Sequence, residues 1–183
     1  MRFHFYSCDA DAVSQHLDHG NLDFAVMLEP VDNVKYDFLS LPDTSEWGIL
    51  MLKSDPLANQ LTSITKETLR MLPLIMHQRI GLQNEIAHWA EIDLEDLTIA
   101  TTYNVIHGSP IPFVTHGLGY LLTTHDLLDP VLDESVCFLP LAPALPTKTA
   151  LVWKKTCSIR KSLRGVQKYA QTDSIDTRTE KIV

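Results

Sequence analysis

Leu22-Asp-Phe-Ala-Val-Met-Leu28 is an almost unbroken apolar run, fenced by Gly20 before it and Pro30 after it. It falls far short of the roughly 20 apolar residues of a membrane span, and its composition suits a strand covered on both faces, as in a parallel sheet. Such a strand needs helices on both sides, which commits the surrounding chain to an α/β arrangement. The residues before it agree. Asp9 stands where a carboxylate caps a helix from Ala10, Val13 and Leu17 give the i, i+4 apolar spacing, and Gly20 ends the helix in a left-handed turn. Earlier still, Phe3, Phe5 and Ser7 alternate with His4 and Tyr6 at strand period. Strand, helix, strand is one βαβ unit.

The same logic continues. Extended runs at Tyr36–Leu41 and Trp47–Leu52 are separated by the turn signal Pro42-Asp43, and Asp55-Pro56 makes another break. Thr65 can cap a short helix carrying Leu69 and Leu72, which Pro73 ends, and Leu74–His77 is a short apolar strand. A helix over Leu82–Ala90 turns Ile86 and Trp89 inward and leads to a strand at Leu97–Thr102. Pro110 or Pro112 suits the first turn of a helix that Gly117 ends, and strands at Gly119–Leu122 and Val136–Leu139 follow, with a helical turn at Asp126 between them. Pro140, Pro143 and Pro146 read as a stiff linker. Thr149–Trp153 is a strand, and Ser158 caps a closing helix with Ile159, Leu163, Val166 and Ala170 on one face and Arg160, Arg164 and Lys168 on the other. Residues 172–183 are a polar tail.

Two βα halves result, breaking near Pro73. If the last strand and helix rejoin the first half, the chain crosses twice between lobes, which makes a hinged cleft with a ligand site in it. The expected organisation is an α/β chain of two βα lobes joined by that double crossover.

Composition narrows the function. With 45% hydrophobic and 21% charged residues in 183, the chain is an ordinary globular protein that needs no disulfide or metal staple. Acidic residues near the start replace the apolar segment of a signal peptide, so a cytoplasmic location is expected and no membrane partner. Cys8, Cys137 and Cys157 show neither a disulfide framework nor metal-ligand spacing. Residues 1–147 hold 6 Lys and Arg against 20 Asp and Glu, a net of −14, while residues 148–183 hold 9 against 3, a net of +6. A body this acidic repels phosphate backbones.

In open α/β sheets the ligand lies beyond the carboxyl ends of the strands. That selects Ser7 and Cys8 at the end of the first strand, His77 and Gln78 at the end of Leu74–His77, and Thr102 and Asn104 at the end of Leu97–Thr102. His107-Gly108-Ser109, leading into a helix, offers backbone N–H groups to a small carboxylate. Each has a plainer use: Ser7 and Ser109 as backbone-bonded or capping hydroxyls, Thr102 and Asn104 as turn residues.

Taken in order, several segments resemble the effector-binding domain of LysR-type transcriptional regulators, over about residues 2–171. They are Leu17-Asp-His-Gly20-Asn-Leu-Asp23-Phe-Ala-Val26, Leu41-Pro-Asp43 with Trp47-Gly-Ile-Leu50 and Asp55-Pro-Leu-Ala58, Leu72-Pro-Leu-Ile75, and Ala100-Thr-Thr-Tyr-Asn104 with Val114-Thr-His-Gly117-Leu-Gly119. The resemblance implies a periplasmic-binding-protein type II-like fold of two Rossmann-like lobes on a double-crossover hinge, lobe one at 1–72 and 148–171 and lobe two at 73–147, and it places Ser7 and the loop from Ile106 to Ser109 against a small, often anionic effector. It also implies a homodimer or higher oligomer. Against the family pattern, the N-terminal helix-turn-helix and the sensor's first strand and helix have no counterpart before Arg2. The expectation is therefore a truncated sensor with weakened oligomerisation, touching DNA only through an absent module.

Other classes fit less well. A free-standing solute-binding or dominant-negative partner subunit is the alternative. For an enzyme, His16 and His19 lack a third metal ligand, His107 and Ser109 lack a GxSxG elbow, and Gly117-Leu-Gly119 lacks the third glycine of a dinucleotide loop. No catalysis, metal or cofactor is expected.

Overall fold

The computed structural model describes residues 4, 6, 8, 10–104, 110–127 and 134–155. Its helices are α1 (Ala10–Asp18), α2 (Pro56–Gln60), α3 (Lys66–Met71), α4 (Ile80–Ala90) and α5 (Ile111–Thr115). The strands are β1 (Ala25–Leu28), β2 (Tyr36–Leu52), β3 (Ile64–Thr65), β4 (Leu74–His77), β5 (Ile99–Tyr103), β6 (Tyr120–Thr124), β7 (Val136–Ala142) and β8 (Pro146–Lys154). They form one sheet in the order β1-β8-β2-β6-β4-β5, with β7 against β2 and β3. No described helix is long and apolar enough to cross a membrane.

β2 organises the molecule. Its first part, Tyr36–Glu46, pairs antiparallel with β8, and its second part, Trp47–Leu52, pairs with β6 and β7. The two strands expected on either side of Pro42-Asp43 are therefore one. Pro42 has no N–H to give a ladder, and it falls in the interruption between Ser40 and Thr44, where the β8 register shifts. The expected proline linker is strand at both ends, with Pro143 in the short connection between β7 and β8. Pro140 is the last β7 residue in register with β2, opposite Gly48, and Pro146 opens β8 opposite Glu46.

α1 covers one face of the β1-β8-β2 portion. Val13 and Leu17 pack with Tyr36, Ala150 and Val152, as their spacing required. Gly20, at φ +73, ends the helix in the left-handed region. β1 departs from expectation. It pairs antiparallel with β8 rather than within a parallel sheet and ends the strand order, so its apolar run is only half-covered and Val26 is 57% exposed.

The β2-β6-β4-β5 portion is covered on both faces. On one, Trp47, Ile49 and Met51 pack with Leu74, Met76, Leu122 and the buried faces of α3 and α4. On the other, Leu50, Ile75 and Leu121 pack with Val114 of α5 and Val136 of β7. Alternate residues of β2 serve opposite layers, as period two requires. Ile64, Leu69 and Leu72, which precede Pro73, lie in the same layer as Leu74 and Met76. Each such fully buried side chain stabilises the fold by about 1.5–3 kcal/mol. Thr65 caps α3 as expected, its hydroxyl accepting from Thr68 N at 3.3 Å. Asp55 caps α2, a helix absent from the sequence reading, accepting from Leu57 N at 2.8 Å. Of the expected opening strand only His4 and Tyr6 are described, and neither pairs with a described strand; the remainder and the expected closing helix at 158–170 lie outside the described residues.

Candidate functional site

The parallel pair β4 and β5 carries its carboxyl ends to the side where β2 enters the second portion, because β2 runs antiparallel to β6, and β6 parallel to β4. His77 and Tyr103 end the two strands in register, their rings edge to face with centroids 5.4 Å apart. Burial pushes the Tyr103 hydroxyl up to about 12, so it stays a donor, reaching Leu122 O at 3.4 Å. Arg79 N donates to His77 Nδ1 at 3.1 Å, which leaves the proton of a neutral imidazole on Nε2.

Beyond the strand ends the chain is pinned from both sides. Gln78 N donates to Tyr103 O at 2.8 Å, and Gln83 Nε2, from the first turns of α4, donates to His77 O at 2.9 Å. From this anchored segment two side chains reach the α1 portion. Gln78 Nε2 donates to Asp11 Oδ2 at 3.4 Å, and Arg79 Nη1 donates to Leu28 O at 2.6 Å. Arg79 is half-buried and its guanidinium lies in the field of Glu85 on α4. Glu85 is half-buried as well. Burial pushes its carboxyl above the ordinary range, with Glu29 adding to the rise and Arg79 opposing it.

Of the sequence-selected residues, the structure brings His77, Gln78, Thr102 and Asn104 to one edge. Thr102 pairs with Met76 and is exposed; Asn104 follows directly after β5 and is half-buried. Cys8 is half-buried against the layer of Val13, Leu17 and Tyr36, three residues before Asp11, to which Gln78 donates. Ser7, His107, Gly108 and Ser109 lie outside the described residues. Asp11 and Arg79 were missed. Asp11 lies in the first turn of a helix, where an acid ordinarily serves the dipole, and Arg79 carries no motif; only the pairing across the molecule gives them a place. Among the described residues no group of three His, Cys, Asp or Glu could hold a metal ion.

No curated protein matches the sequence significantly. Solved structures match in fold. The C-terminal domain of a probable LysR family regulator from Rhodococcus sp. RHA1 has a TM-score of 0.68 at 18% identity, covering 90% of this chain and 81% of that one. The effector binding domain of QuiR in complex with shikimate has a TM-score of 0.74 at 16% identity, covering 92% and 79%. HinK, a LysR family transcriptional regulator from Pseudomonas aeruginosa, has a TM-score of 0.67 at 17% identity, covering 90% of this chain but 57% of that chain. The family model described as LysR substrate binding domain matches residues 1–172, and this chain belongs to that family, with its α/β, periplasmic-binding-protein type II-like fold.

Proposed function

We propose that the chain is the effector-sensing unit of a LysR-type transcriptional regulator, without catalytic activity, working in the cytoplasm and binding a small molecule between two lobes. The lobes in this reading are the α1 portion and the portion from Trp47 through β7, with β2 and β8 as crossover strands; a division inside β2 replaces the one at Pro73, because Ile64, Leu69 and Leu72 share a core layer with Leu74. The observation that carries the reading is the segment His77-Gln78-Arg79. It ends a strand of one portion and bonds Asp11 and Leu28 of the other, so whatever binds beside it contacts both.

The proposed wall is Ser7, Cys8, His77, Gln78, Thr102, Asn104, His107, Gly108 and Ser109. An anionic effector is supported by the family resemblance and by Arg79, while Asp11 opposite limits it to a single carboxylate. Binding shifts the population between closure angles and alters how copies associate, and DNA is reached through a separate helix-turn-helix module. No observation favours a free-standing antagonist.

Isothermal titration with shikimate, benzoate and related monocarboxylates tests this. One site per chain is expected, weakened about tenfold in Asn104→Ala, the worth of one polar contact. A folded chain that binds none of them and does not self-associate removes the reading.

A further inference from the structure

β1 ends the strand order, and its outer side is open among the described residues. Which backbone groups face that side follows from the ladder. Glu29 N donates to Lys148 O at 2.9 Å, continuing the β1–β8 register, so Ala25, Met27 and Glu29 give their backbone groups to β8 while Val26 and Leu28 turn theirs outward. Leu28 O shows the same direction, accepting from Arg79 Nη1 at 2.6 Å. The Val26 N–H and C=O and the Leu28 N–H meet no partner among the described residues, and Val26 is 57% exposed. Ala25 and Met27 pack with the Val13 and Leu17 layer, whereas Phe24 and Val26 belong to the opposite face, where the Phe24 ring meets Trp153 edge to face at 6.2 Å. Edge strands are ordinarily guarded by lysine, proline or a bulge. Phe24-Ala-Val-Met-Leu28 has no lysine or proline, and its register with β8 is unbroken.

We propose that the open edge of β1 binds β1 of a second copy of this chain, antiparallel about a two-fold axis at Ala25. The run Leu22–Leu28 is self-complementary about that residue. Phe24 of each copy falls opposite Val26 of the other, Leu22 opposite Leu28, Asp23 opposite Met27, and Ala25 opposite itself. Phe24 and Val26 share the outward parity, so they form the hydrogen-bonded pairs, and an aromatic against a β-branched side chain is a favourable cross-strand match. Ala25 meets itself in a non-hydrogen-bonded pair, where the Cα atoms approach to about 4.5 Å and a small side chain fits. Charge fixes the register. With the axis one residue along, at Val26, Asp23 would oppose Glu29, and Leu22 would oppose Pro30, which has no N–H. The contact uses the same surface on both copies, so it closes at two and joins their sheets through β8-β1-β1-β8. It lies at the outer edge of the sheet and does not depend on the proposed effector site.

Sedimentation equilibrium of the whole chain over a wide range of concentration tests this, with hydrogen exchange of the Val26 amide measured at both ends of the range. A reversible dimer is expected, its Val26 amide protected at high concentration and exchanging freely at low. Val26→Lys sets a charge against Phe24 twice per dimer and should weaken association about a hundredfold at unchanged circular dichroism. Phe24→Glu should also weaken it, and the two substitutions together, which oppose unlike charges only in the proposed register, should restore the dimer. If Phe24→Glu does not fold, Val26→Lys and the amide exchange decide. A chain that stays monomeric throughout overturns the proposal, as does a dimer that Val26→Lys leaves intact. A Val26 amide protected in the monomer also overturns it, because the chain's own residues would then hold the edge.

Discussion

Glu85 titrates against its surroundings. Burial holds its carboxyl above the ordinary value of 4.5, and the Arg79 guanidinium only partly offsets that. Between the unfolded and the folded pKa the native state therefore binds more protons than the unfolded chain, and the slope of stability with pH is negative. This contribution is full below the unfolded value, falls as pH rises through the folded one, and is gone above it. Glu85→Gln removes the charge and keeps a carbonyl acceptor. Its stability relative to wild type should accordingly rise with pH, the variant being the more stable at pH 7 and the difference closing towards pH 4, read from urea denaturation at the two values. A difference independent of pH would mean that the folded carboxyl titrates normally. None of this could be read from the sequence, where Glu85 is an ordinary acid on a helix; its character comes from Arg79, Glu29 and the cover of the layer beneath.

At the scale of elements, period and caps carried far. Val13 with Leu17, Thr65 before α3 and Pro73 before β4 are local devices whose partners lie within a turn or two, and the structure keeps each. Pairing is not local, and there sequence and structure differ. Pro42 suits a turn because a proline cannot serve a ladder, yet it needs to serve none where the β2–β8 register shifts. The run Leu22–Leu28 suits a doubly covered strand because composition does not say which strand will end a sheet; with β8 on one side and no described strand on the other, only Ala25–Leu28 is paired. Gly48 likewise carries no local signal of its partner. A Cβ there would strike the Phe138 ring and come within 2.5 Å of Leu139 O, part of the backbone that pairs β7 with β2. A ring can swing away, whereas a ladder carbonyl cannot. Gly48→Ala should therefore destabilise by about 1–3 kcal/mol, the ordinary cost of overpacking, read as a fall in the urea midpoint with the slope unchanged. A midpoint equal to wild type would show that β7 is free to move off β2.

For the whole molecule, the question is what holds its two portions at one angle. The sheet is continuous through β2, but its interruption between Ser40 and Thr44 is a natural place to bend, and the side-chain ties lie off that axis, at Gln78 to Asp11 and Arg79 to Leu28 O. The Gln78 bond is long and exposed. The Arg79 bond is short, charged and half-buried, so it carries more of the restraint, of order 1.5 kcal/mol for a hydrogen bond to a charged group. A tie of that size corresponds to about a tenfold change in the ratio of two closure states. Arg79→Met keeps the apolar stem and removes the donor. In small-angle scattering of the chain without added ligand, this variant should show a larger radius of gyration at unchanged helix content by circular dichroism, and a saturating ligand that touches both portions should restore the wild-type value. Identical scattering from the two proteins would mean that the strand junction alone fixes the angle. In that case an effector would have to act by bending β2 and β8 themselves, and the layer of Trp47, Thr124 and Thr147 at their junction would become the place where closure is decided.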